Sequence, residues 1–427
     1  MLQRPLGTLE RALLLSDRHS PLNVVTVLQL EAPPSPEAMA AALSELQASQ
    51  PALRVRIESR AERPSFVEME SSKLPLSVLG RPAEDAWLPL AEAELSRRID
   101  VAAGPLFRCA YLFHPDRADL ICTFQHTIVD APSIAWFLDQ LLSCLAGQPA
   151  GAATASELLP AAQTSFPATF RGPSLALLTA GYASRQLREE VAYRWETHSL
   201  REPPVHAGAA SRILTAETDG ELTSALVRRS RKEGVTLNGL LNAAMLLAVH
   251  RRLYGARPRP MRTISFPNLR PFVSPPAQAD SLAAYFSMQR YTIRLDERQS
   301  LWQVAGKLHA QIYTSLKQGD KYVAHLMSEG LIRMVTRLRS VRLAMTALSY
   351  TGVPKVRPQY GPIRVRGLHG FISNVDFGPQ YTAQVSLTSG RLVWDIVYLD
   401  KDMDHRQARA LADEVQEVLR SAVNAPA

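Results

Sequence analysis

The sequence has no run of about 18 or more uncharged apolar residues. Its longest apolar stretches, 237–249 and 134–145, are short and interrupted, so the sequence predicts no membrane-spanning helix. Cysteine is scarce. Cys109, Cys122 and Cys144 have neither the number nor the spacing of a disulfide framework or a zinc site, and their apolar surroundings predict core thiols in a reducing cytoplasm. The N-terminus lacks a signal peptide's pattern: the apolar run after Arg4 is broken by Glu10 and Arg11, and no small-residue cleavage site follows. No internal repeat is visible at a period of about 20 to 50 residues. No GxSxG nucleophile elbow occurs, and none of the cysteines sits in an obviously polar setting.

What is present is an ordinary folded composition, 46% apolar and 21% charged, which excludes a disordered chain. At 427 residues the chain exceeds what one core supports, so two domains are expected. The net charge of +8 raises a nucleic-acid partner. However, the arginines are scattered and no recognition motif appears, so none is expected. The one local basic cluster, Arg228, Arg229, Arg231 and Lys232, fits either a docking site for an acidic partner or a solvated helix face.

Residues 23–30 (NVVTVLQL) are β-branched and bounded by prolines, which predicts a strand. Ala38, Met39, Ala42, Leu43 and Leu46 then recur at helical spacing, with Pro51 just past the end, and 53–58 alternates as a strand. Segments 107–113 and 120–125 form a predicted antiparallel hairpin around a turn at 114–119, which puts His126 at a strand end. Pro132 begins a helix with the buried stripe Ile134, Phe137, Leu138, Leu141, Leu142 and Leu145. Residues 147–173, rich in Ala, Pro, Ser and Thr, mark a boundary between domains 1–172 and 173–427.

In the second half, helices are expected at 175–195, 222–232 (ended by Gly234), 237–253 and 405–423, with further helices across 301–348. Strands are expected at 212–217, 261–266, 285–293, 384–387 and 392–398, with a proline-broken loop at 267–276. The alternation predicts a mixed α/β (α+β) fold with a large antiparallel component.

The segment TFQHTIVDAPS (123–133) carries His126 and Asp130 in an HxxxD spacing and resembles the HHxxxDG motif of condensation domains, mycobacterial polyketide-associated acyltransferases, wax ester synthases and plant BAHD acyltransferases. GPLFRCAYLF (104–113), KEGVTLNGLLNAAMLLAVHR (232–251), FPNLRPF (266–272), AYFSM (284–288) and ISNVDFG (372–378) stand where comparable family motifs lie. The chain thus resembles the chloramphenicol acetyltransferase and condensation-domain superfamily over almost its whole length, nearest to the free-standing polyketide-associated acyltransferases. The resemblance implies two acyltransferase-like subdomains in a V-shaped pseudo-dimer, the first carrying HxxxD and the second completing an active-site tunnel at their junction.

A neutral imidazole can take a proton near neutral pH, so His126 is the expected general base, and direct transfer needs no acyl-enzyme. The resemblance makes Asp130 an orienting residue held by an arginine, for which Arg54 and Arg270 are both candidates. Ser373 and Asn374 are candidate oxyanion or substrate contacts, a turn being the alternative. Asp376, Phe377 and Gly378 resemble the start of the BAHD DFGWG motif, but Pro379 and Gln380 replace its WG, and a structural turn is expected.

Two positions depart from HHxxxDG. Gln125 replaces the first histidine and can still hydrogen bond, which makes it a further contact candidate, and Ala131 replaces the glycine. His114, His250 and His325 lack comparable context and are expected on the surface or in helices.

The implied reaction moves an acyl group from an acyl-carrier-protein or coenzyme A thioester to a hydroxyl of a lipid, polyketide or sugar. The implied alternatives are a stand-alone condensation enzyme forming an amide and a non-catalytic carrier-recruitment domain. The basic cluster at 228–232 is the expected carrier or coenzyme A docking site. No metal or other cofactor is expected beyond the thioester cosubstrate, and the expected state is a monomer.

Overall fold

The computed structural model describes residues 3–60, 63–69, 74–148, 157–198, 200, 204–255, 257–296, 298–338 and 341–424. In chain order the first elements are β1 (Gln3–Pro5), α1 (Thr8–His19), β2 (Asn23–Glu31), α2 (Pro36–Ser49), β3 (Val55–Arg60), β4 (Arg63–Glu68) and β5 (Leu76–Gly80). Next come α3 (Trp87–Ser96), β6 (Phe107–Phe113), β7 (Arg117–Gln125), α4 (Ala131–Leu145), α5 (Ser174–Thr197), β8 (Ser211–Thr218), α6 (Gly220–Lys232) and α7 (Leu237–Val249). The chain continues through β9 (Arg259–Ser265), β10 (Gln289–Leu295), α8 (Leu301–Gln318), α9 (Asp320–Leu338), β11 (Thr346–Gly352) and β12 (Gln359–Tyr360). It closes with β13 (Ile363–Ile372), β14 (Tyr381–Thr388), β15 (Arg391–Leu399) and α10 (His405–Asn424).

Two compact units result, each with its own sheet. The first contains 1–165, 269–286 and 354–373; the second contains 166–268, 287–353 and 374–427. The fold is therefore mixed α/β with two sheet-containing halves, and both six-stranded sheets are open. The single boundary expected between 172 and 173 does not describe this division, because 269–286 and 354–373 pack with the first unit although they come from the second half of the sequence. Part of the expected linker, 149–156, lies outside the described residues.

In the first unit the main sheet has the order β12-β13-β2-β7-β6-β5, and β1-β4-β3 form a smaller sheet. β2 is central: Val25, Val27 and Leu28 are fully buried, as expected for a strand covered on both faces. The predicted hairpin is present, with its second strand starting at Arg117, three residues earlier than expected, and with Phe107 opposite Phe124 and Phe113 opposite Ala118. Cys109 and Cys122 are cross-strand partners in it, their sulfurs 3.4 Å apart, and burial pushes the Cys109 thiol up. Both are core thiols, and Cys144 meets the Glu45 carboxylate at 3.1 Å.

α4 packs on this sheet through Phe137, whose ring stands edge-on to Phe107 at 5.6 Å and to Phe124 at 5.5 Å. The helix begins where Asp130 Oδ1 accepts the Ser133 N–H and Pro132 occupies the first turn. These contacts fix the register between the end of β7 and the start of α4, the connection that carries HxxxD.

The second unit has the strand order β10-β9-β11-β14-β15-β8. α7 is its central helix: every residue from Gly239 to Val249 is buried, and Thr236 caps its N-terminus. Gly234, at φ 67°, ends the connection from α6 as the sequence suggested.

Three expectations change. Residues 285–288 are not strand, and β10 begins at Gln289. Residues 346–348, placed in a helix, open β11, where Leu348 is enclosed between β9 and β14. The strand predicted from residue 53 starts at Val55, because Pro51–Leu53 forms a 3-10 turn. β13 was not anticipated. Its sequence IRVRGLHGFI alternates weakly, yet it supplies the neighbour of β2 from more than 300 residues away in sequence.

Candidate active site

β7 ends at Gln125, and His126–Ile128 form a single 3-10 turn before Val129 and Asp130 lead into α4. His126 is 8% exposed. Its backbone N–H donates to Leu22 O at 3.3 Å, and the Leu22 N–H in turn donates to Asp17 Oδ1 at 2.9 Å. Asp17, buried at the end of α1 and paired with Arg98, thereby fixes the strand start that supports the histidine.

The ring of His126 is held on two sides. Nδ1 lies 3.1 Å from Val129 O, and the imidazole stacks on Phe286 at 5.2 Å with an interplanar angle of 24°. A carbonyl only accepts, so the proton of the neutral ring sits on Nδ1 and Nε2 carries the free lone pair. Burial pushes the His126 pKa below its ordinary 6.5, the carbonyl contact and Asp130 opposing. The result is an unprotonated imidazole at neutral pH with Nε2 as its basic atom.

Asp130 is 5% exposed, and both of its carboxylate oxygens are engaged. Oδ1 takes the Ser133 N–H at 3.0 Å; Oδ2 takes the Tyr285 N–H at 2.9 Å and the Arg270 guanidinium. Ser133 Oγ accepts the Asp130 N–H, which completes a reciprocal cap. Arg270 also donates to Ala283 O at 3.3 Å and lies over the Tyr285 ring. Of the two candidate arginines, Arg270 is therefore the partner of Asp130, whereas Arg54 pairs with Glu68 at 2.9 Å on the smaller sheet. Asp130 ties the histidine turn to the 269–286 segment.

Gln125 is fully buried, and its Oε1 accepts both the Thr127 N–H, at 2.7 Å, and the Thr127 hydroxyl. It thus closes the turn that presents His126. Its Nε2 has no partner among the described residues, nor does Oδ1 of Asn23, its cross-strand neighbour on β2. Replacing Gln125 by alanine leaves two Thr127 donors unpaired beside His126. We expect kcat to fall by roughly 10–100-fold with little change in KM, measured by steady-state kinetics.

Ser373 and Asn374 have their polar atoms engaged. Ser373 Oγ accepts the Asn23 N–H at 3.0 Å and donates to Leu95 O at 2.7 Å. The Asn374 amide donates to Pro379 O and Val397 O, both at 3.3 Å, and accepts from Thr382 Oγ1 at 2.8 Å. Asp376 accepts the Gly208 N–H at 3.2 Å, and the Gly378 N–H closes a turn onto Val375 O at 2.7 Å.

In the basic cluster, Arg228, Arg231 and Lys232 are exposed at the end of α6, where they complement the helix dipole. Arg229 pairs with Glu233 at 2.7 Å and lies over Trp302. His114 is exposed, whereas His250 and His325 are buried in the second unit. Among the described residues no group of three or more His, Cys, Asp or Glu side chains could hold a metal ion, and no helix is long and apolar enough to cross a membrane.

The sequence reading missed the parts played by Asp17, Tyr285 and Phe286. Tyr285 acts through its backbone N–H and Phe286 through ring stacking, and neither role leaves a signature beyond the AYFSM segment itself.

Residues 12–157 match the family model of the condensation domain, and residues 208–373 match that of the phthiocerol/phthiodiolone dimycocerosyl transferase C-terminus. No curated protein matches the chain by sequence. Among solved structures, trichothecene 15-O-acetyltransferase from Fusarium sporotrichioides aligns over 98% of this chain and 95% of its own, at 11% identity and a TM-score of 0.77. Polyketide synthase associated protein 5 from Mycobacterium tuberculosis aligns over 98% of each chain at 16% identity and a TM-score of 0.70. The SgcC5 protein from Streptomyces globisporus aligns over 99% of each at 17% identity and 0.71. Likeness at these identities establishes the shared fold.

Proposed function

The chain belongs to the chloramphenicol acetyltransferase and condensation-domain superfamily, and from that premise we propose that it is an acyltransferase with His126 as general base. The acyl group passes from a carrier-protein or coenzyme A thioester to the hydroxyl of a lipid, polyketide or sugar acceptor. The observation that carries this reading is the Nδ1 contact to Val129 O, which reserves the Nε2 lone pair for an acceptor proton.

In the proposed step the acceptor O–H gives its proton to His126 Nε2 as its oxygen attacks the thioester carbonyl. The tetrahedral intermediate collapses, the C–S bond breaks, and the departing thiolate takes the proton back from Nε2. The base is regenerated and no acyl-enzyme forms. The intermediate's oxyanion needs a donor. With Ser373 and Asn374 engaged elsewhere, the Gln125 Nε2–H group is the expected contact that keeps a donor to offer.

The match of 12–157 to the condensation domain favours an amine as the second acceptor class, with an amide as product. The test is to incubate the wild type with acyl coenzyme A and acyl-carrier thioesters and with alcohol or amine acceptors, following free thiol and product by mass spectrometry. Acceptor-dependent ester supports the reading, and amide alone moves the chain to the condensation class. Carrier binding without turnover on any acceptor sinks the catalytic reading in favour of recruitment.

The buried base also predicts a pH dependence. Only the neutral imidazole can accept a proton, and its pKa is displaced downward, so the acid limb of kcat/KM should have its midpoint below the ordinary histidine pKa of about 6.5. A pH profile of kcat/KM whose midpoint lies at or above about 6.5 contradicts the assignment.

A further inference from the structure

α5 is amphipathic the wrong way round. A helix on a folded unit normally buries its apolar stripe. Here the side turned to the protein is held by charge. Arg185 pairs with Asp320 of α9, and Glu190 takes Arg262 at 2.8 Å and Arg290 at 3.2 Å from β9 and β10, while Glu196, exposed at the flank of the helix, pairs with Arg294 of β10. Only Tyr193 and Thr197 are buried along its 24 residues. Its outer face carries Leu177, Leu187, Val191 and Trp195, which are 79%, 64%, 59% and 78% exposed. Such a set of large apolar side chains along one helix face marks an interaction surface.

The outer groove of the last three turns is lined by Leu187, Arg188, Val191, Ala192, Trp195 and Glu196. These residues are complementary to themselves in reverse. When two copies of α5 cross antiparallel about the Val191–Ala192 step, Val191 meets Ala192, Arg188 lies against the partner helix's tryptophan and beside its glutamate, and Leu187 covers the glutamate stem. Each pairing occurs twice through the two-fold axis. Arg188 is well placed for this, since it is exposed and its Nε–H donates to Ser184 O of its own helix, 3.4 Å away. A guanidinium over a tryptophan face is a favourable cation–π pair, and small Ala192 allows close approach at the crossing point.

We propose that this face of α5 is a self-association surface and that its occupant is α5 of a second copy of this chain. The contact is small. Three turns of helix, about 16 Å long and about 10 Å wide, offer roughly 160 Å² of face per protomer, well under the ~800 Å² of a standard interface. The dimer is accordingly weak and concentration-dependent.

Sedimentation equilibrium from about 1 to 500 µM tests this on the full chain. The wild type should show a monomer–dimer equilibrium, and Val191→Glu should weaken it at least about tenfold. Arg188→Glu and Glu196→Arg should each weaken it about tenfold, and the two together should recover to within about threefold of wild type. Because Glu196→Arg also removes the partner of Arg294, circular dichroism of each variant checks folding, and cross-linking gives a second readout. Ala192→Cys should form a disulfide-linked dimer under mild oxidation and Ser184→Cys should not. A chain monomeric throughout the range, a dimer indifferent to Val191→Glu, or a charge swap that fails to restore association overturns the proposal. So does a monomer that instead binds anionic lipid vesicles through Trp195, which would assign the face to a membrane surface.

Discussion

His126→Ala should abolish acceptor-dependent acyl transfer, lowering kcat by roughly 10²–10⁴-fold while leaving thioester binding within a few-fold of wild type. The size follows from the geometry. The ring is fixed by Val129 O on one nitrogen and by Phe286 across its face, so the second nitrogen is presented without a rotamer search. Removing the base therefore removes proton transfer and its positioning together. His126→Asn separates the two, since an amide nitrogen can keep the contact to Val129 O but cannot accept a proton at neutral pH. Asparagine should be as inactive as alanine and more stable. Single-turnover release of thiol, measured against free thioester hydrolysis, reads the chemical step directly. An asparagine variant that retains a tenth or more of wild-type turnover would remove His126 from the base role.

The hairpin, the strand-end histidine and the start of α4 were legible because the signals are local: alternation in β6 and β7, an intervening turn, and Pro132 at a helix start. What was not legible is what the histidine rests on. The Leu22 carbonyl, the Asp17 cap behind it, the Tyr285 N–H and the Phe286 ring come from segments up to 160 residues away and act largely through backbone atoms, which have no sequence signature. β13 illustrates the same limit. Its alternation is weak, and its place as a strand comes from pairing with β2 on one side and β12 on the other; the β2 pairing also brings Ser373 to Asn23. The 285–288 segment misled for the opposite reason: its apolar run matches a strand in composition, but it forms no more than an isolated bridge at Phe286, and Tyr285 and Phe286 meet the Asp130 and His126 side chains.

The choice of Arg270 over Arg54 makes the second large prediction. Asp130 and Arg270 are 5% and 3% exposed, so removing either leaves the other as an uncompensated buried charge, at a cost of about 3–5 kcal/mol. Arg270→Ala also frees the Tyr285 segment, which should lower kcat in the same variant because Phe286 follows directly in the chain and stacks on His126. Arg54→Ala breaks a half-exposed pair with Glu68 and should cost under about 1 kcal/mol, with activity unchanged. Arg270→Lys should not rescue, because an ammonium cannot reproduce the planar fork that reaches both Asp130 and Ala283 O. The double variant Asp130→Ala/Arg270→Ala removes both charges, so its loss should be clearly smaller than the sum of the two single losses. Urea unfolding of these variants and of the single Asp130→Ala, alongside kcat, decides the matter. Equal small losses for Arg54→Ala and Arg270→Ala, or strict additivity in the double variant, would mean that the Asp130–Arg270 pair does not anchor the histidine turn.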